Sequence, residues 1–189
     1  LIVKIYIMNK KIYSIGHGST GVKDKNLNEF IEILKHYSIK TLVDVRSYPV
    51  SSFATWFNKP YLEKELTKNK IKYRFAGQLL GGRPEGDEYY DFEGYALYNK
   101  MAESKNYQEG LDRLKEIAMT STAVMMCSEK NFKECHRSLL IARTLGSEWE
   151  VNHILGINNI EKHVFDEAIP ITLSGEAEWK SVLPIKQEK

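Results

Sequence analysis

Two cysteines separated by seven residues, with a histidine and an arginine directly after the second, are the densest reactive group in the chain: Cys127, Cys135, His136 and Arg137. Cysteine and histidine ligate zinc and iron, so His136 with Cys127 and Cys135 is a candidate set for a divalent metal. The spacing is not the Cys-x2-4-Cys of zinc modules, and neighbours on a helix diverge by about 100°, which turns Cys135 and His136 away from one ion. A cysteine at a strand end, in a loop entering a helix, is placed instead for nucleophilic work. Its thiolate is stabilised by the helix N-terminus and by Arg137. Cys127 and Cys135 are catalytic candidates on that reading, and small core residues on the plainer one.

The acid/base candidates are His17, Asp44 and Glu129. Asp44 sits among Leu42, Val43 and Val45, where an unpaired charge is costly. Arg46 points to the same side of a strand two residues on, so an Asp44–Arg46 pair is expected, whether for catalysis or for organisation. His17 lies in the loop Gly-His-Gly-Ser-Thr-Gly (16–21), where Gly16 and Gly18 let backbone N–H groups approach phosphate oxygens. The loop matches neither the P-loop nor the dinucleotide fingerprint. Arginine is scarce, occurring at 46, 74, 83, 113, 137 and 143. Arg46, Arg83 and Arg137 fall in or beside the motif loops, and the planar guanidinium suits bidentate binding of phosphate or carboxylate, so these three are the anion-binding candidates.

The elements that position these residues follow from apolar periodicity. Short strands are expected at 12–15, 41–45, 72–75, 123–126 and 151–155, the fourth a continuous apolar run suited to a central strand. Helical spacing marks 26–37, 61–69 behind Pro60, 92–103, 107–119 and 135–145. The segment 77–86 reads as a long glycine-rich loop, and Trp179 as the anchor of a tail from 169 onward. Alternating strands and helices predict an α/β fold with an open, mostly parallel sheet of about five strands and helices on both faces. Ligands then bind at the carboxyl edge of the strands, where the candidate residues fall. The whole chain is expected to form one domain, with residues 1–7 as a dispensable extension ahead of Met8.

Composition sets the frame. With 42% hydrophobic and 28% charged residues, a chain of 189 is an ordinary globular one, and needs no staple to fold. Two cysteines are too few for a disulfide framework and indicate a reducing, cytoplasmic setting. No apolar run approaches the roughly 20 residues of a membrane span. A net charge of +2 gives no electrostatic case for nucleic acid over the whole surface, which leaves a local anion site.

Ile15-Gly-His17, Asp44-Val-Arg46 with Pro49 and Ser51, Leu80-Gly-Gly82 and Cys127-x-Glu129-x5-Cys135-His-Arg137 together resemble the family catalogued as domain of unknown function 488, in the same order and over residues 11 to 145. The resemblance implies an α/β domain with these loops as its site and supplies no reaction. Members commonly carry Gly-His-Ser at the first motif, whereas Gly18 follows His17 here. The strand-end cysteine also shares the geometry of rhodaneses and cysteine phosphatases, although Lys133 stands where their motif has arginine. The leading expectation is an enzyme acting on a phosphate-bearing substrate, a nucleotide or nucleic acid. Its rivals are a cysteine-dependent sulfur-transfer or redox enzyme and a non-catalytic nucleic-acid-binding module.

Overall fold

The computed structural model describes residues 10–18, 27–165 and 178–185. The expected extension at 1–7, the rest of the first glycine loop and most of the tail lie outside the described residues. In chain order the elements are β1 (Lys11–Gly16), α1 (Leu27–His36), β2 (Thr41–Asp44), α2 (Lys59–Lys68), β3 (Lys72–Phe75), α3 (Gly77–Leu80), α4 (Tyr98–Glu103), α5 (Lys105–Thr120) and β4 (Ala123–Cys127). A π-helical stretch, Arg137–Ala142, runs into α6 (Arg143–Leu145), followed by β5 (Glu150–Gly156) and β6 (Asn159–Lys162).

The strands form one sheet in the order β3-β2-β4-β1-β5-β6. All pair in parallel except β6, which is antiparallel to β5. Central β4 is buried at every position, and its period of two divides the core. Val124 and Met126 pack with Phe30 and Leu34 of α1 and Leu62 and Leu66 of α2. Ala123, Met125 and Cys127 face the other layer, with Leu111 and Leu114 of α5 and Leu140 of the π-helical stretch. This is the expected α/β architecture with helices on both faces. No helix among the described residues is long and apolar enough to cross a membrane.

The chain leaves β1 toward β2 on one side and leaves β4 toward β5 on the other, although β1 and β4 are neighbours. Their carboxyl ends therefore frame a switch point, where connections diverge and a crevice opens. Gly16 pairs with Cys127 across it.

Four local expectations need correction. β6 was not anticipated, because its sequence Asn-Ile-Glu-Lys has a single apolar residue; the hairpin is made by the turn before it, with Asn158 at φ 57°. The helix expected over 92–103 begins only at Tyr98. Gly94, at φ 86°, breaks the preceding segment, which pairs locally through Tyr90 and Ala96. The glycine-rich loop from Gly77 opens with α3. A Cβ at Gly77 would lie 1.9 Å from the Arg46 carbonyl oxygen, so glycine is there for close approach to the chain leaving β2 rather than for looseness. Finally, Cys135 precedes the helical stretch that was expected to contain it, and His136 is the first residue with helical backbone.

Candidate functional site

Cys127 ends β4 and is 5% exposed; Cys135 is 1% exposed and His136 8%. Cys135 closes a 3-10 turn, Phe132–Glu134, whose Asn131 cap accepts from the Lys133 N–H. Cys135 has extended backbone (φ −105°, ψ 143°) and His136 the first helical one (φ −55°, ψ −25°). The 100° divergence of helical neighbours thus does not apply to them, and their side chains turn to the same point. His136 Nδ1 is 3.7 Å from Cys135 Sγ and 3.9 Å from Cys127 Sγ. All three donor atoms lie within 4.8 Å of one another.

The ring of His136 is fixed from two sides. Its Nε2 lies 3.0 Å from the Val45 carbonyl oxygen, which only accepts, so Nε2–H donates and Nδ1 is the nitrogen turned to the two sulfurs. Gly82 packs against the ring so closely that a Cβ there would be 2.8 Å from Cγ. Hydrogen bonding from the Cys135 thiol and the neighbouring His136, together with the Glu129 N–H, holds the Cys127 thiol well below the ordinary thiol range. Burial pushes Cys135 well above it.

Beside this floor, Asp44 is fully buried and accepts four hydrogen bonds. Oδ1 takes the Arg46 N–H at 3.1 Å and Nε at 2.9 Å; Oδ2 takes Nη2 at 2.6 Å and the Tyr73 hydroxyl at 2.7 Å. Arg46 Nη2 also donates to the Phe57 carbonyl at 2.8 Å. The expected pair is present, and it organises: Asp44 does not line the cavity, whereas Arg46 does. Burial works against the Arg46 charge, and Asp44 more than offsets it.

A cavity of about 490 Å³ opens over these groups at the carboxyl edge of the sheet. It gathers His17, Arg46, Arg83, Cys127, Glu129, Cys135 and His136 of the expected residues. His17 stacks on Phe57 with ring centroids 4.4 Å apart. Arg83 and Glu129 are exposed at the rim. The N–H groups of His17 and Gly18 donate to the carbonyls of Cys127 and Ser128, and Gly16 lies in the ladder, so these residues extend the sheet rather than offering amides to an anion.

Arg137 is not brought to the cavity. It is 1% exposed, its Nη2 donates to the Glu129 carbonyl at 2.7 Å, and its Nε has no partner among the described residues. Its place at the start of the π-helical stretch points it into the protein, under the Glu129 loop that it supports.

Sequence reasoning missed Glu134 and the segment from Ser181 to Ile185, which line the cavity together with Ser47 and Tyr98. Ser47 follows Arg46 directly, and its Oγ accepts the Arg83 N–H at 2.9 Å, tying the second glycine loop to β2. The tail segment is held by Trp179, whose indole N–H donates to the Leu139 carbonyl at 2.7 Å and whose ring lies under Arg143. Only the anchoring tryptophan gave a signal in the sequence.

These features define a class: an open-sheet α/β protein with a cysteine- and arginine-bearing cavity at its switch point. The family model for the domain of unknown function DUF488 matches residues 26–144, and the chain belongs to that family. Searches of curated proteins and of solved structures gave no match. The matched span contains every expected site residue except Gly16, His17 and Gly18.

Proposed function

We propose that the protein is an enzyme acting on a phosphate-bearing substrate, a nucleotide or nucleic acid, bound in this cavity. The observation that carries the reading is the meeting of Arg46 and Arg83 with His17, Cys127 and Glu129 around one opening at the carboxyl edge. Arg46 is preoriented by Asp44, so its charge is in place before a ligand arrives. Arg83 supplies a second fork from the rim, and His17 and Glu129 are the groups placed for proton transfer. The net charge of +2 argues against a sequence-independent nucleic-acid binder, which needs a broad basic surface.

Inorganic phosphate and nucleoside phosphates, titrated into the protein by calorimetry, test this. Arg83→Ala should weaken binding roughly 10- to 100-fold, the usual worth of a charged hydrogen bond, and Glu129→Gln should reduce turnover without changing affinity. Equal affinity in Arg83→Ala, or no phosphate binding at all, would sink the proposal.

One observation favours a second reading, cysteine-based sulfur transfer or redox chemistry: the Cys127 and Cys135 sulfurs are within 4.8 Å of each other on the cavity floor. That reading requires Cys127 to react selectively with an alkylating agent in metal-free protein. Two inert thiols would remove it.

A further inference from the structure

We propose that Cys127, Cys135 and His136 hold a zinc-class divalent ion at the floor of the cavity, leaving its remaining coordination position on the cavity side. The inference goes beyond the anion-site reading and does not depend on it.

Three donor atoms of the types zinc prefers already converge. A tetrahedral ion with Zn–S of about 2.3 Å and Zn–N of about 2.0 Å holds its ligand atoms about 3.5–3.8 Å apart. The two sulfur-to-Nδ1 distances, 3.7 and 3.9 Å, fall close to that spacing. A hydrogen-bonded chain uses these groups in sequence, the Cys135 thiol donating to the Cys127 sulfur and that sulfur meeting His136, whereas a cation takes all three donors at once.

The surroundings fit a ligand histidine. Nε2–H donates to the Val45 carbonyl, an outer partner of the kind that fixes the tautomer and orientation of metal-bound imidazole. Gly82 backs the ring so that it cannot swing away. Two thiolates offset the charge of a dication, and the nearby Arg46 is already paired with Asp44. Each thiol releases its proton to solvent as its sulfur takes the metal. Because all three residues line the cavity, the ion has an open side there, as catalytic zinc sites do and structural ones do not.

The test uses the whole chain, purified without chelator and then stripped and reloaded with Co²⁺ or Zn²⁺. One equivalent of zinc by elemental analysis, a thiolate-to-cobalt charge-transfer band and the strong visible absorption of four-coordinate cobalt are expected. Cys127→Ser and Cys135→Ser should each lower affinity by more than the about 10- to 100-fold that outer-shell changes cost. The wild type supplies an arm that needs no variant: stoichiometric Zn²⁺ should protect both thiols from iodoacetamide. Absence of the cobalt band, or alkylation at the same rate with and without Zn²⁺, would overturn the metal site. Phosphate titration of the metal-free protein separates the two ideas. Metal binding without phosphate binding leaves this inference standing and removes the anion-site reading, and the reverse result does the opposite.

Discussion

His136 and His153 are both buried, both lie beside the same sheet, and have opposite relations to solvent and to reactive neighbours. His136 uses one ring nitrogen on a backbone carbonyl and turns the other to two sulfurs that line a cavity. His153 uses both: Nδ1 pairs with the Ser14 hydroxyl at 2.7 Å and Nε2 shares a hydrogen bond of 3.1 Å with His163 Nδ1. Phe132 stacks on its ring at 3.9 Å between centroids and closes it off. Burial by itself therefore says little about function. What separates the two is a ring nitrogen that faces two sulfurs beneath an opening. Damage around His153 should read out as lost stability, and damage around His136 as lost ligand chemistry.

Asp44 is the sharpest test of that division, because it is sealed like His153 yet holds Arg46 at the cavity. Asp44→Ala leaves a buried guanidinium unpaired and should destabilise the protein by about 3–5 kcal/mol in urea unfolding. A loss under about 1 kcal/mol would mean that solvent reaches the pair. His153→Ala comes next, at about 2–4 kcal/mol, since it opens a cavity under Phe132 and strands Ser14 and His163. Its anion and metal affinities, measured at a denaturant-free temperature where it is folded, should match the wild type.

The same contrast has a pH signature. Burial, with the neighbouring His163 and the Arg137 and Lys133 charges, lowers the His153 pKa to about 3. Between that value and the unfolded histidine near 6.5, the unfolded chain holds a proton that the native protein does not. Stability should therefore be at its full value above about pH 6.5 and fall as pH drops toward 3, by up to about 1.4 kcal/mol per unit from this group. Urea midpoints at pH 7, 6 and 5, compared with those of His153→Asn, isolate the effect from titrating carboxylates. Parallel curves for the two proteins would show that His153 is not the group responsible.

Much of this was legible in the sequence, and the parts that were not have physical causes. The apolar run Ala123 to Met126 marks the central strand because both faces must be covered, and Asp44 with Arg46 reads as a pair because strand residues two apart share a side. The meeting of Cys135 with His136 was hidden, since it depends on a 3-10 turn ending in extended backbone one residue before the helix starts. Arg137 misled for a related reason. Its type suited an anion, but the direction of its side chain is set by the turn and places it beneath the Glu129 loop. Ser181 to Ile185 came to the cavity by long-range docking, which no local pattern encodes.

The smallest expected effects fall at the rim and separate the backbone of the second glycine loop from its side chain. The Arg83 N–H, not its guanidinium, ties that loop to Ser47. Arg83→Ala should accordingly leave stability within about 0.5 kcal/mol of the wild type, as for exposed surface positions in general. Ser47→Ala removes the acceptor of a partly solvated N–H and should cost about 0.5–1 kcal/mol, because water replaces much of the lost bond. If Arg83→Ala proved the more destabilising of the two, the guanidinium would be part of the scaffold, and the rim would belong with His153 rather than with His136.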